Sequence, residues 1–185
     1  EMAELFAFLY FIRYMDEPGN PQTGKGLMET KHCNKCHAIA KEGTKGDLSR
    51  WGMYINPILW AQMMWNHAPQ MGQEMKRKGL SWVEFKGNEM VDLIAYIRSF
   101  SSKMEKVYLS PGDPHSGKKL FAQKGCARCH SPRSEFDLSK KKDFPRTLGQ
   151  LAGMMWNHSP KMWKGMEEKG MERPAVSPQE MVDLV

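Results

Sequence analysis

Apolar side chains at Met90, Leu93, Ile94, Ile97 and Phe100 return every three or four positions, the period of one face of an α-helix. No segment alternates apolar and polar residues as a half-buried strand does. Helices are predicted to open at Thr23 and Ser116, each an N-cap behind a proline turn, and to run through Leu27 and Leu120. Another is predicted from about Pro57 to His67. Pro69 and Pro160 are expected to open a third short helix, with Ser159 capping the second instance and Gly79 and Gly170 ending it. The expected fold class is therefore all-α. The longest apolar run, Leu5 to Ile12, falls far short of the ~18–20 residues that cross a bilayer.

The pattern occurs more than once. Pro18-Gly19-Asn20-Pro21 and Cys33-Asn34-Lys35-Cys36-His37 return as Pro111-Gly112-Asp113-Pro114 and Cys126-Ala127-Arg128-Cys129-His130, both shifted by 93. Met63-Met64-Trp65-Asn66-His67-Ala68-Pro69 returns as Met154-Met155-Trp156-Asn157-His158-Ser159-Pro160, shifted by 91. Glu89-Met90-Val91-Asp92-Leu93 has counterparts at Glu1-Met2-Ala3-Glu4-Leu5 and Glu180-Met181-Val182-Asp183-Leu184. A tandem duplication follows. Residues 1–16 read as the closing helix of a preceding module, 17–108 as one module, and 109–185 as a second whose closing helix is cut short. The chain is thus expected to be part of a protein with at least one more module upstream.

Composition narrows the picture. With 185 residues, 41% hydrophobic and 26% charged, the chain can pack a core, which excludes long disorder and collagen. The formal charge of +6 raises nucleic acid as a partner, but the 21 acidic residues are scattered among the 27 basic ones. The compact run Lys140-Lys141-Lys142 reads as a solvated loop, so no nucleic-acid partner is expected. A module of about 90 residues has a small core, so something else is expected to fill its interior.

The 4 cysteines form two Cys-x-x-Cys-His motifs. That spacing lets both thiols add to the vinyl groups of a haem while the adjacent imidazole reaches the iron. A structural zinc site and a thioredoxin-like redox pair are the alternatives. Zinc would bridge two modules and leave the repeated histidine unexplained, and a redox pair lacks its strand and helix context.

Each module resembles a small class I type cytochrome c domain, through Gly24 and Leu27 ahead of Cys33, Cys36 and His37, and through the closing helix from Glu89 to Ile97. The chain is similar to multihaem c-type cytochromes built of tandem modules with a Trp-Asn-His-x-Pro-x-Met segment, as in metal-reducing bacteria. The resemblance implies tandem cytochrome c-like domains and two covalently attached haem c. It further implies electron transfer on the periplasmic or extracellular side of a bacterial membrane, although no signal peptide is visible in this chain. Redox proteins, haem modules of the same parent chain, or a membrane redox complex are the implied partners. In that family a glycine and an aromatic on the first helix pack on an aromatic of the last. Gly24 and Tyr96 match in module 1, where Met28 replaces the first aromatic, and Gly117 and Phe121 match in module 2.

His37 and His130 are the proximal ligands by position. Met-Pro, the usual mark of the distal ligand, does not occur. Met71 and Met162 are taken first for the sixth ligand, Met75 and Met166 next, and His67 and His158 after them. Trp65 and Trp156 are expected at the cofactor, where their indole N–H groups can bond a propionate or a backbone group. Most of the 16 methionines are read as core filling. The expected role is that of an electron carrier, not an enzyme, cycling Fe(II)/Fe(III) at each haem. The alternatives are a haem enzyme such as a dihaem peroxidase, which needs a five-coordinate iron, or the haem subunit of a larger membrane-bound redox complex.

Overall fold

A computed structural model describes residues 2, 4–5, 18–39, 46–49, 57–100, 110–142, 144–145 and 147–185. The closing helix expected over 1–16 lies almost wholly outside them, and so do the module limits at 17, 108 and 109. The fold is all-α. The helices that build it are α1 (Pro21–Thr30), α2 (Pro57–Arg77), α3 (Glu89–Arg98), α4 (Pro114–Gln123), α5 (Leu148–Glu168) and α6 (Pro178–Leu184). Cys33–Lys35 and Cys126–Arg128 are single turns of 3-10 helix. Among the described residues the extended pairing is one parallel bridge, Ala38 to Asp47.

The first helix of each module starts earlier than its sequence pattern predicts. Asn20 caps α1 by accepting from the Gln22 and Thr23 N–H groups at 2.9 and 3.3 Å, and Asp113 caps α4 by accepting from His115 and Ser116 at 3.0 and 3.2 Å. Pro21 and Pro114 take the first helical position, where the missing N–H costs nothing. Thr23 and Ser116 are therefore inside the first turn, not at the cap, because an Asx side chain ahead of proline satisfies the free amides first.

The larger departure concerns Pro69 and Pro160. Both lie within unbroken helices of 21 residues, and no separate third helix begins at either. Proline removes the bond to the carbonyl four residues back. In α5 that carbonyl is Trp156 O, which accepts from the Trp82 indole N–H at 3.3 Å instead. Ser159 is likewise interior and not a cap; its Oγ donates to Met155 O at 2.7 Å. Gly79 and Gly170 follow these helices with φ of +67° and +61°, the left-handed geometry expected of helix stops.

Within each half, the first and last helices cross at a glycine. A Cβ on Gly24 would fall on the Asp92 carbonyl and Tyr96 Cβ, and one on Gly117 would fall on the Asp183 carbonyl, so the expected contact between Gly24 and Tyr96 is present. An ion pair repeats beside each crossing, Lys31 to Glu89 and Lys124 to Glu180, both at 2.8 Å. The middle helices behave differently. α2 packs on α5 and α6, while α5 packs on α2 and α3, so each module's long helix reaches into the other half. The buried cluster accordingly holds Met90, Leu93 and Ile97 of α3 together with Ala152 and Trp156 of α5.

Candidate functional site

The two Cys-x-x-Cys-His segments adopt one local geometry. Each is entered through a left-handed residue, His32 at φ +60° and Gly125 at φ +80°, and each folds its three-residue turn so that the histidine N–H donates to the first cysteine carbonyl, at 2.8 Å for His37 and 2.9 Å for His130. All four thiols are free. Burial raises the pKa of Cys33 and of Cys126, keeping both as thiols at neutral pH.

The proximal candidates are anchored from behind. His37 Nδ1 lies 3.2 Å from Gly46 O, and His130 Nδ1 lies 2.9 Å from Phe136 O. The supporting carbonyl comes from a different loop in each module, nine residues on in the first and six in the second, yet the contact is the same. An imidazole that donates from Nδ1 to a carbonyl presents Nε2 as a bare lone pair, the arrangement that orients histidine for a metal. Burial lowers the His37 pKa, the Gly46 carbonyl opposes it, and the nearby His67 lowers it further; the neutral ligand form is favoured.

Beside each of these candidate histidines lies the histidine of the Trp-Asn-His segment. The ring centres of His37 and His67 are 6.4 Å apart with planes at 59°, and those of His130 and His158 are 6.4 Å apart at 54°. Burial lowers the His158 pKa, helped by His130, Lys141 and Lys161. Because α2 and α5 are continuous, Met71 and Met75 follow His67 by one and two turns, about 6 and 12 Å further along the axis, and Met162 and Met166 follow His158 likewise. Met71 packs against the apolar cluster. These four methionines are part-buried.

Of the two partners expected for the Trp65 and Trp156 indoles, a propionate or a backbone group, both indoles take a backbone carbonyl. The Trp65 indole N–H donates to Pro174 O at 2.8 Å, and the Trp156 indole N–H donates to Val83 O at 2.6 Å. The neighbouring asparagines complete the contact. Asn66 takes the Val176 N–H at 3.1 Å and gives to Val176 O at 2.9 Å; Asn157 takes the Phe85 N–H at 2.8 Å and gives to Phe85 O at 2.6 Å. Each Trp-Asn pair thus grips the extended segment ahead of the other module's closing helix. Sequence reasoning did not assign this role to Asn66 or Asn157. Their repetition was visible, but the groups they hold are backbone and leave no mark in the sequence.

The grip also shapes the surroundings of His158. A cleft of about 490 Å³ beside it is lined by Glu84 and Phe85 from one half and by Lys141, Asn157 and Lys161 from the other. Among the described residues no cluster of three or more His, Cys, Asp or Glu side chains is placed to hold a bare metal ion. A haem needs no such cluster, since its macrocycle supplies the equatorial nitrogens and the protein provides only axial ligands. The donor set fits that group: two thiols, one anchored imidazole, and a second imidazole facing it, present twice. No protein-family model, curated protein or solved structure matches the chain.

Proposed function

We propose that the protein is an electron carrier of the multihaem c-type cytochrome kind, holding one covalent haem in each module. The observation that carries this reading is the repeated anchoring of the Cys-x-x-Cys-His imidazole through Nδ1, which frees Nε2 beside a pair of free thiols. The Cys33 and Cys36 thiols would each add S–H across a vinyl C=C bond, sulfur to one carbon and hydrogen to the other, with no net change in electrons. Cys126 and Cys129 would do the same in module 2. His37 and His130 would hold the iron. The bound group supplies a one-electron Fe(II)/Fe(III) couple, and the chain fixes its position and polarity.

Covalent haem of this kind places the protein on the periplasmic or extracellular side of a bacterial membrane, with other redox proteins or further haem modules as partners. No helix among the described residues is long and apolar enough to cross a membrane. Four propionates would bring the formal charge from +6 to about +2, leaving mild attraction to an acidic partner. The same histidine pair occurs in both modules, which supports two like transfer sites over one catalytic and one transfer site. The test is expression with a c-type haem maturation system and mass measurement under denaturing conditions. Two retained haems per chain are expected, falling to one in Cys33→Ala/Cys36→Ala; a chain without added mass overturns the reading.

A further inference from the structure

We infer that module 2 carries a binding site for an organic acid, a single carboxylate on an apolar body, in the cleft beside His158. The inference does not rest on the haem reading and is tested apart from it.

The cleft is a difference between two otherwise repeated helices. The face of α5 that lines it carries Gln150, Gly153, Asn157 and Lys161, which follow one another at three- and four-residue steps. The same positions of α2 carry Leu59, Gln62, Asn66 and Gln70. There Leu59 is 2% exposed, and Gln62 is buried with its amide donating to Val176 O at 2.7 Å, so side chains fill that face. In α5 the place of Gln62 falls to Gly153, where a Cβ would meet Phe85 Cβ at 3.8 Å, an ordinary contact. Glycine thus opens about 490 Å³ between Phe85 and the loop that holds Lys141 and Pro145, a volume suited to a small organic molecule. Asn157 fixes the Phe85 wall through its two bonds to the Phe85 backbone.

The lining has two characters. Phe85, Pro145 and Met154 supply an apolar wall, and Lys141 and Lys161 supply two ammonium groups. Among the described residues neither lysine has a carboxylate within 4.0 Å. Lys141 Nζ lies 3.3 Å from the Met154 sulfur, a weak acceptor. Glu84 lines the same cleft, so two ammonium charges less one carboxylate leave a single positive charge, which a singly charged acid matches. Its head group would lie at the lysines, accepting their hydrogen bonds, and its apolar body against Phe85 and Met154. The two changes from α2 act together: Gly153 in place of Gln62 makes the space, and Lys161 in place of Gln70 charges it.

Titration of the full chain, as isolated, with benzoate, benzamide and acetate tests this, read from the amide signals of its NMR spectrum. Benzoate should shift the Gly153 and Asn157 signals saturably. Benzamide, which lacks the charge, and acetate, which lacks the ring, should each bind about tenfold more weakly or worse. The decisive variants borrow residues that α2 already carries. Gly153→Gln should abolish benzoate binding, Lys161→Gln should weaken it about tenfold, and Glu84→Gln should tighten it. Signals of α1 and α3 that stay in place show that each variant is folded. Equal binding of benzoate and benzamide, or binding indifferent to both Gly153→Gln and Lys161→Gln, overturns the site. Failure of benzoate to bind overturns it too; a lowered potential of one haem in Lys161→Gln would then give the lysines to that haem's own propionate. A chain that carries no covalent haem overturns the haem reading alone.

Discussion

Gly24 and Gly72 show how one substitution can carry opposite signs in two helices of the same protein. Both lie within helices, where alanine is favoured over glycine by roughly 0.5–1 kcal/mol. At Gly72 a new Cβ would meet Trp82 and Trp163 ring carbons at 3.5 and 3.7 Å, ordinary contact distances. At Gly24 it would fall on the Asp92 carbonyl, which cannot move without opening the α1–α3 crossing. Gly72→Ala should therefore stabilise the protein by about 0.5 kcal/mol, whereas Gly24→Ala should cost about 2–3 kcal/mol. Urea denaturation of the two variants checks both, and equal effects would count against the crossing described. The repeated ion pairs give a second prediction. Burial raises the Glu89 pKa, but bonds from Lys31 and the Lys86 N–H outweigh it and hold the carboxyl below its ordinary value; the Lys124 hydrogen bond first, then the Ser177 N–H, do the same for Glu180. A folded pKa below the unfolded one means stabilisation that is complete above the ordinary carboxylate value of 4.5 and lost as pH falls through the folded value. Lys31→Met should lower stability by about 1 kcal/mol at pH 7 and by much less at pH 3. Denaturation midpoints at the two pH values measure this, and a loss that does not shrink with acid would contradict it.

Among the helices, α2 and α5 carry the most consequence, because each sets a histidine beside its own module's Cys-x-x-Cys-His turn and holds the other module with the adjoining Trp-Asn pair. Their continuity through proline is the feature that the sequence pattern concealed. A proline in a periodic stretch is fairly read as a boundary; in α5 the Trp82 indole reaches the carbonyl that Pro160 left without its amide. Trp82 also stacks on Trp156 at 4.1 Å between ring centres and meets Trp163 edge-on at 5.2 Å. Trp82→Phe keeps most of the apolar contact while deleting the N–H, and it should cost about 1–2 kcal/mol, with the loss centred on α5. Hydrogen exchange would report it as faster opening of amides around Trp156 and Pro160, with α1 and α3 unaffected. Asn157 grips Phe85 through two bonds to backbone, so Asn157→Ala should be more severe, about 2–3 kcal/mol, since it leaves a buried N–H and C=O without partners.

For the molecule as a whole, the crossed packing makes the two modules one unit. α3 of the first half and α5 of the second share a single apolar cluster, and the Trp-Asn grips run in both directions. Thermal unfolding should accordingly be one transition, coincident by near- and far-ultraviolet circular dichroism, and Asn157→Ala should move all of it. Two separated transitions, only one of them shifted, would show that the modules are independent. The pairing is also unequal at its centre. Trp163 stands where the first module has Gly72, and Arg173, which lies over the Trp163 ring at 4.5 Å, stands where the first module has Trp82. A large ring on one side meets a glycine on the other, so the halves complement each other and neither complements a copy of itself.

Much of the site was legible before any coordinates. Local spacing fixes what neighbours can do together, so the all-α class, the duplication and the Cys-x-x-Cys-His turns could be read from order alone, while the glycine crossing was implied by the resemblance. The caps were misplaced by three residues because Asn20 and Asp113 compete with Thr23 and Ser116, and only backbone geometry resolves which side chain meets the free amides. The fate of Pro69 and Pro160, the partners of Trp65 and Trp156, and the facing of His67 on His37 all depend on groups distant in the chain, several of them backbone carbonyls that every sequence has alike. Order along the chain sets each pair of thiols beside a histidine. Which of His67 and Met71, one turn apart, comes beside His37 was left to packing, because it turns on where the other module holds the helix.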